Sequence, residues 1–98
     1  MELLYFDGCP NWMAADERLR AALQVVGEDT VQVERVLVTT SEEAEQRHFV
    51  GSPTVLIDGK DPFADRALPV GLSCRLYRTP TGSSEAPTLE QLIEALRS

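Results

Sequence analysis

Histidine and tryptophan each occur once in these 98 residues, cysteine twice, and lysine only at Lys60. Two cysteines and one histidine cannot close a four-ligand metal site without carboxylates, so no structural metal centre is expected. Two cysteines are also too few for a disulfide scaffold, and a reducing compartment would keep both as thiols. There is no basic run. Nine Lys and Arg stand against 16 Asp and Glu, for a net charge of −7. That balance argues against nucleic acid or an anionic membrane as main partner, and it reads as a device for solubility. No stretch approaches the ~18 apolar residues of a membrane span. Glu2 and Asp7, with no basic segment before them, do not read as a signal peptide. The expected compartment is the cytoplasm.

What is present suffices for one folded domain over residues 1–98. Apolar residues make up 43% of the chain, and a domain of this size buries roughly 65% of its unfolded surface. Leu3 to Phe6 is a short apolar run closed by Asp7-Gly8, which reads as a buried strand. Pro10 suits the first position of a helix. Trp12, Ala15, Leu19, Ala22, Leu23 and Val26 then recur at spacings of three and four. A helix is predicted over about 10–26, with Asp16, Glu17, Arg18 and Arg20 on its polar face and Gly27 as its C-terminal cap.

Val31, Val33, Val36 and Val38 predict a second strand with a change of face. Ser41 is read as the cap of a short helix over 42–48, with Glu42, Glu43 and Glu45 on a solvated side. Thr54 to Ile57 reads as a buried strand closed by the Asp58-Gly59 turn. Residues 61–72 are predicted as loop. Ser73 to Thr79 alternates Cys74 and Leu76 with Arg75, Tyr77 and Arg78, as a strand with one exposed face would. Residues 80–87 are a polar loop, and Thr88 caps a last helix with the stripe Leu89, Leu92, Ile93 and Leu96. The order is β-α-β-α-β-β-α.

This order, with Cys9-Pro10-Asn11-Trp12 between the first strand and helix and Gly51-Ser52-Pro53-Thr54 entering the third strand, resembles the thioredoxin-like superfamily. Within it, the chain is similar to small bacterial thioredoxin-family proteins, some of them alkylmercury-lyase-like. The resemblance implies an α/β fold with a mixed four-stranded sheet and helices on both faces. It also implies a cis-proline at Pro53. Trp12 stands where the dithiol members of the family carry their resolving cysteine, so a local disulfide is ruled out.

Cys9 carries the chemistry in this reading. A cysteine at a helix N-terminus faces unpaired N–H groups and the positive end of the dipole, which draws a thiol from ~8.5 toward ~7; Asp7 works against that. Trp12 serves as core or as a lid over the thiol, while Pro10, Ser52 and Pro53 border the site and the Ser52 backbone offers pairing to an extended substrate. Cys74 is expected roughly 16 Å from Cys9 if a full strand separates them, as a buried structural thiol. It becomes the resolving thiol only if the 61–72 loop lies over the active end. His48 reads as a helix-terminal cation, and Arg66, Arg75 and Arg78 as solvated or anion-binding. No motif asks for a cofactor or a metal. The leading expectation is a monothiol thiol–disulfide redox protein, working through the single thiol of Cys9 beside Pro53 on a protein or small-molecule thiol or disulfide. The alternatives are a non-catalytic binding module, or handling of mercury by Cys9 and Cys74.

Overall fold

The computed structural model describes residues 1–28, 30–64 and 69–97. The chain runs β1 (Glu2–Tyr5), α1 (Trp12–Val25), β2 (Glu34–Leu37), α2 (Ser41–Arg47), β3 (Thr54–Leu56), β4 (Tyr77–Thr79), β5 (Gly82–Ser84) and α3 (Leu89–Arg97). β1 is the centre of a three-stranded sheet, parallel to β2 and antiparallel to β3. β4 and β5 form a separate antiparallel hairpin. The fold is therefore α/β with two small sheets. The single four-stranded sheet of the sequence reading is not formed among the described residues, because β4 pairs within the stretch 82–84 that reads as loop.

Consecutive side chains of a strand point to opposite faces, and β1 uses this to build two cores. Leu3 packs with Val55, with Ala15, Leu19 and Ala22 of α1, and with Leu92 of α3. Leu4 packs on the other side with Val38, Phe49 and Ala44 of α2. Helices thus cover both faces. Among the described residues, no helix is long and apolar enough to cross a membrane.

Several local signals are realised as read. Gly27 takes φ +79° just past α1, and the Glu28 N–H reaches back to the Leu23 carbonyl, closing the helix as a Schellman turn does. Thr88 and Gln91 exchange hydrogen bonds of 2.9 and 3.1 Å at the start of α3, the reciprocal capping box. Other boundaries move. α1 begins at Trp12, after the N-cap Asn11, so Pro10 lies in the preceding turn. The cap of α2 is Thr40, whose hydroxyl accepts from the Glu43 N–H, and Ser41 is the first helical residue. β2 is confined to Glu34–Leu37, leaving Val31 and Val33 outside it.

Asp16 also departs from its expected place. It is buried on α1, where its carboxylate accepts from Arg20 at 3.1 Å and from Arg35 at 3.2 and 2.7 Å. A carboxylate at a buried position needs such partners. The Arg35 guanidinium also lies 5.3 Å over the Trp12 ring, which stands 4.5 Å from Tyr5. Asp16→Ala is expected to lower unfolding free energy by about 1–3 kcal/mol, against under about 0.5 kcal/mol for Glu17→Ala at an exposed position of the same helix. Urea denaturation measures both.

Candidate functional site

After β1 the chain turns back on itself, with the Cys9 N–H donating to the Phe6 carbonyl. Cys9 sits two residues ahead of the N-cap Asn11 and is fully buried. Facing it, Phe49 to Pro53 lead from α2 into β3, and all five residues are buried. The Ser52–Pro53 bond is cis. The Cys9 sulfur lies 3.8 Å from the Ser52 carbonyl oxygen.

Burying Ser52 obliges its backbone to find partners, and the chain supplies them itself. Its N–H donates to the Ser73 carbonyl at 2.8 Å, and its carbonyl accepts from the Arg75 N–H at 2.9 Å. Ser52 and Cys74 thereby form a parallel bridge. The Gly71 N–H donates to the Phe49 carbonyl at 3.0 Å, extending the contact toward α2. Residues 71–75 thus lie along the edge that the sequence reading offers to a substrate. Gly51, at φ +120°, makes room for them: a Cβ there would come within 2.8 Å of the Arg75 Cβ.

This path joins Cys74 to Cys9. The two form a disulfide, with Cα atoms 5.8 Å apart across a sequence separation of 65. The expectation of a distant, buried Cys74 is overturned. It assumed a regular strand from Ser73 onward, whereas β4 starts at Tyr77 and residues 73–75 instead cross beside Ser52. The two ends of the disulfide differ in environment: Cys9 is buried and Cys74 exposed.

Beneath Cys74 lies a polar cluster that sequence reasoning missed. Arg75, read as solvated, is buried. Its guanidinium donates to Asp61 at 2.7 Å, to the Phe63 carbonyl at 2.6 Å and to the Thr54 hydroxyl at 3.4 Å. It also lies 4.4 Å over the Tyr77 ring. Tyr77 stacks edge-on against Phe63, and its hydroxyl donates to the Pro53 carbonyl. The alternation of this segment is therefore inverted, with Arg75 and Tyr77 inward and Cys74 and Leu76 outward. The signal available in the sequence was Asp61, an acid beside Pro62-Phe63 that can pair with an inward arginine.

The remaining sequence candidates scatter. Trp12 is half-buried among core side chains, against Tyr5 and beneath Arg35. Pro10 is exposed in the turn before α1. His48 ends α2 in a left-handed conformation. Arg78 is exposed, and Arg66 lies outside the described residues. No group of three or more His, Cys, Asp or Glu suited to a metal ion occurs among the described residues.

Two measurements probe this arrangement. Closing a loop of 65 residues restricts the unfolded chain by about 4 kcal/mol. Cys74→Ser is expected to lose about that much stability, read from the denaturant midpoint. Burial pushes the Tyr77 phenol well above its usual range, with Asp61 adding to the shift and Arg75 opposing it. In the unfolded chain the phenol ionises near pH ~10. The raised folded value means Tyr77 supports folding fully below that pH and ceases to as pH rises beyond it. Stability of the wild type is expected to fall more steeply above pH ~10 than that of Tyr77→Phe, by up to ~1.4 kcal/mol per pH unit, in urea titrations run at successive pH values. No family model matches this chain, and neither a curated protein nor a solved structure does.

Proposed function

We propose that this chain is a thiol–disulfide exchange protein of thioredoxin-like architecture, whose working couple is Cys9–Cys74. The observation that carries the reading is the asymmetry of the disulfide. One sulfur belongs to a buried residue anchored between β1 and the Pro53 segment, the other to an exposed residue on a short strap. Exchange begins at the sulfur an external thiolate can reach. The β1-α1-β2 parallel unit, the antiparallel β3 and the cis Ser52–Pro53 bond beside Cys9 support the architecture.

The chemistry follows from that asymmetry. A small-molecule or protein thiolate attacks the Cys74 sulfur. The Cys9–Cys74 bond breaks, its electron pair stays on Cys9, and Cys9 takes a proton from solvent. The resulting thiol can donate to the Ser52 carbonyl, 3.8 Å away. A second external thiolate then attacks the partner's sulfur in the mixed disulfide and expels Cys74 as thiolate. Two external thiols are oxidised to a disulfide while the protein couple is reduced to two thiols, and the sequence runs backward when the external disulfide is in excess. Cys74 thus becomes the entry sulfur and Cys9 the resolving one, an exchange of the roles suggested by sequence alone. The reducing cytoplasm is the compartment that would cycle such a couple.

Residues 73–75 give the couple a second effect. While the disulfide is closed, both backbone groups of Ser52 are occupied in cis. Opening it frees the strap to leave, with Arg75 as the anchored end. A second reading rests on the same closeness. With Cα atoms 5.8 Å apart, the reduced pair offers two soft ligands to a thiophilic ion such as mercury.

Equilibration of the protein in dithiol redox buffers, followed by acid trapping and mass spectrometry, tests the exchange reading. The expected midpoint potential is above about −300 mV. In the reduced protein, Cys74 is expected to be alkylated about ten-fold faster than Cys9. A potential below that bound, with no mixed disulfide trapped on Cys74 in Cys9→Ser, would make the bond a structural staple.

A further inference from the structure

On the face of the sheet away from α1 and α3, a cleft of about 560 Å³ opens between the end of α2, β3 and the turn after it. This is within the range of small-molecule sites. Its floor is apolar, formed by Leu4, Val50 and Leu56. Two cationic side chains, Arg47 and Lys60, border it, with the His48 imidazole beside them. Lys60 is the only lysine and His48 the only histidine of the chain. All three are exposed, and none makes an ion pair among the described residues.

The polar groups deeper in the cleft are already satisfied. Asp61 accepts from the Phe63 N–H at 2.9 Å with one oxygen and from Arg75 at 2.7 Å with the other. Its charge is thus neutralised from within. The Thr54 hydroxyl donates to the Gly51 carbonyl at 2.6 Å and accepts from Arg75. A ligand entering here meets the methyl and methylene groups of Leu4, Val50 and Leu56 and, at the border, Arg47 and Lys60, which make no ion pair among the described residues. On a chain of net charge −7, two cations at the border of one apolar recess favour an anionic head group there.

We propose that this cleft binds a small amphiphilic carboxylate, its chain on Leu4, Val50 and Leu56 and its head group among Arg47, His48 and Lys60. The site is separate from the disulfide and stands or falls independently of the exchange reading. Apolar burial supplies the attraction and the cationic border selects the charged head group.

Titration of the intact, oxidised protein with octanoate, followed by amide chemical shifts, is the test. Saturable shifts are expected at Val50, Leu56 and Lys60. Octanoate should bind at least about five-fold more tightly than octanol, and Lys60→Glu and Arg47→Glu should each weaken it about five-fold. Butanoate, with four fewer methylenes, should bind at least about ten-fold more weakly. Both substitutions fall at exposed positions, and circular dichroism verifies their folding. No saturable shift up to about 10 mM, equal affinity for octanol and octanoate, or indifference to both charge reversals would each overturn the proposal.

Discussion

The buried backbone of Ser52 is the constraint from which the rest of the site follows. Once Pro53 and Thr54 are packed into the core, the N–H and C=O of Ser52 lie where water cannot reach them. An unpaired buried peptide group costs about as much as a lost hydrogen bond. The chain resolves this by bringing residues 73–75 alongside, so that one segment supplies both an acceptor and a donor. Cys74 then arrives beside Cys9 as a by-product of backbone pairing. The disulfide locks an approach that the hydrogen bonds already define.

Arg75 makes that approach possible at the other end. An extended segment sends successive side chains to opposite faces, so an exposed Cys74 requires an inward Arg75. A buried guanidinium is tolerated only with its donors engaged and its charge matched. Asp61, the Phe63 carbonyl and the face of Tyr77 provide this. Among the described residues, its Nε and the Ser52 hydroxyl are buried without a hydrogen-bond partner. The Tyr77 hydroxyl closes the loop by bonding the Pro53 carbonyl. The cis-proline segment is therefore held from both sides by one short stretch of chain, through its backbone at Ser73 and Arg75 and through the side chain of Tyr77.

Much of the frame was legible in the sequence because it rests on local chemistry. The helical spacing of Trp12 to Val26, the Gly27 terminator, the Asp58-Gly59 turn with both residues at positive φ and the Thr88-Gln91 capping box need only neighbours within a few residues. The same is true of the turn that places Cys9 between the first strand and the first helix. What failed was long-range. The alternation in 73–79 was legible as a pattern but not as a direction, because a one-residue change of face inverts every side chain. Hydrophobicity placed Cys74 and Leu76 inside; the acid at Asp61, twelve or more residues away, placed Arg75 and Tyr77 there instead. Asp16 was misplaced for the same reason. Its partner Arg35 comes from another strand, and no helical wheel contains it.

The asymmetry between the two sulfurs has a further consequence for how the couple and the fold are linked. Cys9 belongs to the frame: it is fully buried, and its neighbours Phe6 and Ser52 are fixed by β1 and by the Pro53 segment. Cys74 belongs to a strap that contributes little apolar burial, since Leu72, Cys74 and Leu76 are all exposed. Ahead of Arg75, a segment held by a few backbone hydrogen bonds and one covalent link sits at the low-stability end of a fold. Breaking the link removes the constraint on the strap while leaving the Leu3 and Leu4 clusters intact, because no strap residue belongs to either of them. In the exchange reading proposed above, the geometry separates what stays rigid, Cys9 and its carbonyl neighbour Ser52, from what moves, the exposed Cys74 and Ser73 before it. Arg75 marks the boundary between them.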